Sequence, residues 1–112
     1  MTSASFTLPT AIANYFEASN AGDFDGIAAA FAEDGLVHDE GEDLRGFDAI
    51  KTWAQGSRAK YDFTSVPNGI TVNGNDIVVT GDVSGTFPGS PIVLTYEFTM
   101  VGDKIAHLVI HD

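Results

Sequence analysis

The chain has 112 residues, 44% of them hydrophobic, no cysteine, and a formal charge of −11 from sixteen Asp and Glu against five Lys and Arg. That size fits a single domain over residues 1–112, able to bury roughly 65% of its unfolded surface, and the apolar fraction excludes a disordered tail. The five cations (Arg45, Lys51, Arg58, Lys60 and Lys104) form no cluster, so nucleic acid and anionic membrane are both excluded as expected partners. Without cysteine there are no disulfides, no Cys-ligated zinc and no thiol nucleophile. Met1-Thr2-Ser3-Ala4-Ser5 lacks the positive flank and apolar core of a secretory signal. No apolar run approaches the roughly 18 residues of a membrane span, and a cytoplasmic location is expected.

Apolar spacing is helical from Pro9 to about Gly56 and strand-like from about Tyr61 onward. Thr7 is expected to cap a first helix, with Pro9 in its opening turn and Leu8, Ile12, Tyr15, Phe16 and Ser19 on one stripe. Gly22 ends that helix. Asp23 is placed to cap a second, carrying Phe24, Ile27, Ala28 and Phe31 at i, i+3, i+4 and i+7. Gly35 breaks the pattern, Leu36-Val37-His38-Asp39 reads as a short strand, and Glu40-Gly41-Glu42-Asp43 reads as an acidic turn. A third helix is predicted near Gly46, with Phe47, Ile50, Trp53 and Ala54 on its apolar face. Asp48 near its start and Lys51 and Arg58 further along suit its dipole.

Four strands follow, over about 59–73, 76–87, 92–101 and 104–111. Helices first and an antiparallel meander second predict an α+β fold, with three helices packed on one face of a curved, mainly antiparallel sheet. A two-residue Gly102-Asp103 turn pairs Val101 with Lys104. Strict alternation then gathers Leu94, Tyr96, Phe98 and Met100 with Ile105, His107, Val109 and His111 on the bulkier face, assigned to the helices. A turn longer by one residue would invert the last strand and point His107 outward. The other face is half apolar, which suits a subunit interface, so a homodimer through it is expected.

Tyr15-Phe16-Glu17-Ala18-Ser19-Asn20-Ala21-Gly22-Asp23, Phe31-Ala32-Glu33-Asp34-Gly35-Leu36-Val37-His38-Asp39 and Arg45-Gly46-Phe47-Asp48-Ala49-Ile50 follow one another in an order that resembles the nuclear transport factor 2-like superfamily. That superfamily includes the SnoaL-like polyketide cyclases and ketosteroid isomerase. The resemblance covers nearly the whole chain and implies a cone-shaped α+β barrel (cystatin-like) around an apolar pocket. It also implies dimerisation through the convex sheet face.

Residue by residue, the resemblance places Tyr15 where ketosteroid isomerase has its oxyanion-hole tyrosine and Asp39 where it has its general base. Val37 and Asp39 share a strand face, and His38 points away. A carboxylate in an apolar pocket is suited to removing a proton beside a carbonyl, and a phenol to stabilising the enolate. The isomerase's second oxyanion donor, a protonated Asp, falls here on Phe98 or, with a different gap, Glu97. His107 is the expected substitute, giving a catalytic set of Asp39, Tyr15 and His107.

The expected pocket wall is Phe16, Phe31, Val37, Trp53, Tyr96, Phe98, Met100 and Val109, closing around a small hydrophobic ligand. No cofactor or metal is expected: His107 and His111 stand roughly 13 Å apart along a strand, and the acidic run lacks the spacing of a calcium loop. The expected function is a cofactor-free isomerase, cyclase or lyase acting on a polyketide- or steroid-like carbonyl compound. The alternative is a ligand-binding or dimerisation module of the same fold, in which Tyr15, His107 and Trp53 are core and Asp39 caps the acidic turn. An epoxide hydrolase would need a pocket arginine, and neither Arg45 nor Arg58 is expected to supply one.

Overall fold

In the computed structural model, which describes residues 7–112, the elements run α1 (Thr10–Ala21), α2 (Phe24–Ala29), β1 (Phe31–Asp39), β2 (Glu42–Arg45), α3 (Phe47–Lys60), β3 (Phe63–Asn73), β4 (Asp76–Gly85), β5 (Ile92–Val101) and β6 (Lys104–His111). The segment Met1–Ser5 read for a signal lies outside the described residues. Three helices pack on one six-stranded sheet of order β2-β1-β6-β5-β4-β3. All neighbours are antiparallel except β1 and β6, which run parallel. α1 lies over β3 and β6, α3 over β1 and β2, and α2 bridges the two longer helices. Among the described residues, no helix is long and apolar enough to cross a membrane.

The first helix starts later than predicted. Pro9 is its N-cap residue, with no side-chain cap, and Thr7 stands two residues outside. At the other end Gly22 adopts φ 71° and its N–H bonds back to Ser19, a left-handed stop that suits glycine. Asp23 caps α2 as expected, accepting from the Gly26 N–H at 3.0 Å. α2 is shorter than predicted, however, because Phe31 belongs to β1. The acidic turn is really a hairpin: Glu40 and Gly41 take φ of 51° and 79°, and Glu42–Arg45 returns as a strand with Asp39 opposite Glu42. Cross-strand pairing, invisible in a four-residue polar run, overrides the turn-like composition.

The core lies between the helices and the concave sheet face. Ile12, Val37, Ile50, Val79, Phe98, Ile105 and Leu108 are its fully buried members, each worth about 1.5–3 kcal/mol of apolar burial. The Gly102-Asp103 turn pairs Val101 with Lys104 as read from sequence. Beyond Met100↔Ile105 the register shifts, and Thr99 faces His107 while Phe98 faces Leu108. Ala106 is the extra residue of a β-bulge, and the bulge turns the rest of β6 over. Leu108 and Ile110 therefore face the helices, while His107, Val109 and His111 face outward, the reverse of the alternation expected from the turn.

Candidate active site

Asp39 is the last residue of β1, and strand alternation buries Val37 beneath it while His38 turns outward to bond Asp43 at 2.6 Å. The Asp39 carboxylate enters the space under α3, where the Trp53 indole Nε1 donates to Oδ2 at 3.0 Å. Around it opens a cavity of about 840 Å³ whose walls include Tyr15, Trp53, Phe63, Ser65, Tyr96 and Ile110. That volume accommodates a drug-sized ligand.

Burial, the largest influence, raises the pKa of Asp39 above its ordinary value; the Trp53 N–H opposes it, and the charge of Glu40 adds to it. Burial likewise holds the Tyr15 phenol well above its ordinary range, with smaller contributions from Tyr96 and Asp39. Tyr96 is raised first by burial, against a bond from its hydroxyl to Ser65 Oγ at 3.2 Å. Both phenols are thus held protonated, as hydrogen-bond donors. Their rings are fixed by edge-on packing: Tyr15 meets Tyr96 at 6.3 Å and Phe98 at 5.8 Å between centroids. Asn20 in α1 exchanges two 2.9 Å bonds with the backbone of Ser65, locking the helix that carries Tyr15 to the strand that carries Ser65.

The structure brings Asp39, Tyr15, Trp53 and Tyr96 together around one cavity. It separates His107 from them. His107 stands opposite Thr99 on the outer sheet face, so it is not part of this constellation, and the cause is the bulge at Ala106. Val109, opposite the exposed Glu97, is outside for the same reason. Phe16, Phe31, Val37 and Phe98 are buried beneath the cavity as core rather than wall, and Met100 packs against that core. Phe98 points inward, whereas Glu97 points outward and bonds His111. The position of the isomerase's second oxyanion donor is thus held by the Phe98 ring rather than by Glu97, and the phenol neighbouring Tyr15 is Tyr96. Asp39 is held by Trp53, not by Tyr15 or His107.

Arg58 was set aside on sequence grounds, yet it lines the cavity. Its guanidinium carbon lies 4.8 Å from the Phe63 ring centroid, and its Nη2 donates to the carbonyl of Ser19. The available signal was its place four residues after Ala54 and eight after Ile50, on the buried stripe of α3. The rim, also missed, joins Tyr61 to Phe87 at 6.1 Å between centroids. There Thr86 N–H donates to the Asp62 carbonyl at 2.9 Å and Asp62 N–H donates to Thr86 Oγ1 at 3.1 Å. Gly85 is the strand residue at this crossing, and a Cβ there would lie 1.9 Å from the Asp62 carbonyl oxygen.

A family model for the SnoaL-like domain matches residues 12–108. Among solved structures, a candidate polyketide cyclase from Sinorhizobium meliloti is 38% identical and superposes with a TM-score of 0.89, over 93% of this chain and 95% of that one. A protein from Catenulispora acidiphila with a ketosteroid isomerase-like fold, solved with trimethylamine, reaches 0.85 at 17% identity over 95% and 87% of the two chains. A cystatin-fold protein from Novosphingobium aromaticivorans reaches 0.78 at 15% identity over 96% and 100%. The last two likenesses speak for the fold alone. No curated protein matches significantly. By the extent of the family match and by the Sinorhizobium relative, the chain belongs to the SnoaL-like domain family.

Proposed function

We propose that the cavity performs cofactor-free acid–base chemistry on a hydrophobic carbonyl compound, as an isomerase, cyclase or lyase. The observation that carries this reading is a carboxylate, Asp39, desolvated within a cavity of about 840 Å³ that also presents two protonated phenols. Asp39 accepts a proton from the carbon beside the substrate carbonyl. A carboxylate has about four acceptor sites, so the Trp53 bond leaves capacity for that proton. Negative charge moves onto the carbonyl oxygen, where Tyr15 donates a hydrogen bond and Tyr96 is the nearest second phenol. The proton held on Asp39 then returns to another carbon or follows a leaving group. The name of the Sinorhizobium relative supports a polyketide-like substrate.

The test is α-proton exchange of β-tetralone in deuterated water, followed by NMR. Exchange by the wild type, slowed about 100-fold or more in Asp39→Asn, is expected. Equal rates for wild type and variant refute the assignment, and binding without exchange favours the alternative of a ligand-binding module. The partner we propose is a second copy through the outer sheet face. Exposed Val66, Val93 and Val101 there support it, and sedimentation of Val93→Lys against the wild type tests it.

A further inference from the structure

We propose that Arg58 determines the substrate class of this cavity, selecting a carbonyl compound that carries a carboxylate at its far end. The inference deepens the acid–base reading and rests on Asp39 marking the reacting end. The chain has five cations, and two of them, Arg58 and Lys60, line the cavity. The other three are engaged elsewhere: Lys51 with Asp25 at 2.8 Å, Arg45 with the Asp34 carbonyl, and Lys104 with the Ala29 carbonyl. Arg58 is half-buried, and among the described residues it forms no ion pair, although the chain has sixteen carboxylates to offer.

The guanidinium is nevertheless fixed. Phe63 supports its face and the Ser19 carbonyl holds one nitrogen, leaving part of a five-donor planar fork for a ligand. That fork matches a carboxylate with two parallel hydrogen bonds. Trp53, which holds Asp39, lies five residues earlier on α3, a separation of about 7.5 Å along the helix axis. The lining also includes the apolar side chains Ala54, Val83 and Leu94. Asp39, Glu40 and Glu42 line the cavity from the β1–β2 hairpin, where Asp39 meets Trp53, and like charges repel. An anionic group is therefore favoured beside Arg58, and the ligand docks with its carbonyl toward Asp39 and Tyr15.

The experiment compares γ-benzoylbutyrate with its neutral methyl ester by titration calorimetry. Wild type is expected to bind the acid at least about tenfold more tightly than the ester, the size of one charge-assisted pair. Arg58→Gln should erase that preference, while ester binding by the variant reports an intact cavity. Arg58→Lys, which keeps the charge and loses the fork, should retain only part of it, and stands in if the Gln variant does not fold. Equal binding of acid and ester by the wild type, binding of neither, or a preference that survives Arg58→Gln overturns the proposal and leaves Arg58 as a tie between α3 and α1. α-Proton exchange of γ-benzoylbutyrate and of its ester in deuterated water distinguishes the two readings: exchange of either compound without acid preference sinks this inference alone, and acid preference with exchange of neither sinks the catalytic one alone.

Discussion

Replacing Asp39 by Asn keeps an oxygen acceptor for the Trp53 indole and removes the charge that burial penalises. Because the folded pKa is raised above the ordinary 3.8, the sign of the effect on stability is fixed. Below the unfolded value both states are protonated and the carboxyl costs nothing. As pH rises past it, the unfolded chain releases a proton that the native chain still holds, so native stability falls until the folded pKa is passed. The Asn variant escapes this loss. Part of the desolvation is offset by the Trp53 and Glu40 N–H groups, so the expected gain at neutral pH is about 1 kcal/mol, or roughly 4 °C in Tm for a chain of this length. Urea unfolding of both proteins from below pH 4 to pH 8 should give curves that coincide in acid and separate as pH rises. A variant that is less stable at neutral pH, or a gain independent of pH, would show that the carboxylate is not desolvated.

Trp53→Phe removes the bond that favours the ionised carboxylate, so Asp39 should titrate at higher pH than in the wild type, read from its carboxyl carbon by NMR; an unmoved titration contradicts the contact. Phe98→Ala empties a site that is 1% exposed and supports Tyr15 edge-on, and should cost about 3–5 kcal/mol in urea unfolding. The pKa of His111 is raised first by the Asp112 carbonyl and then by Glu97. Its contribution to stability is therefore complete below the ordinary histidine value of 6.5 and lost as pH rises through the folded one. Glu97→Gln should lower the His111 midpoint in an NMR titration, and no change would mean that the pair does not form.

The parts of this fold legible in the sequence were those governed by local chemistry. Gly22, Asp23 and the Gly102-Asp103 turn carry their conformations in their residue types, and α3 shows its apolar face at helical spacing. Periodicity put Tyr15 on the apolar stripe of α1 and Asp39 on the strand face of Val37, and the family resemblance singled the two out as site residues. His107 was misplaced by a single inserted residue: nothing in Lys104-Ile105-Ala106-His107 distinguishes a bulge from a regular strand, and the parallel neighbour β1, itself shifted between Phe31 and Leu36, is far away in sequence. Arg58 was missed because a long side chain near a helix end reads as solvated, and only the position of Phe63 and Ser19 folds it inward.

Beside the edge-on pair of Tyr61 and Phe87 in the cavity wall, the Thr86 N–H donates to the Asp62 carbonyl and the Asp62 N–H donates to the Thr86 hydroxyl, clasping the end of α3 to the end of β4 where Gly85 leaves no room for a side chain. Where the backbone is clasped in this way, the shape of the cavity wall is set by the side chains that the clasp carries. Adaptation to new substrates would then fall on lining residues such as Pro88 and Ile92, which belong neither to the helices nor to β1, the strand of Asp39. A change of ligand shape need not involve the strand that carries the carboxylate.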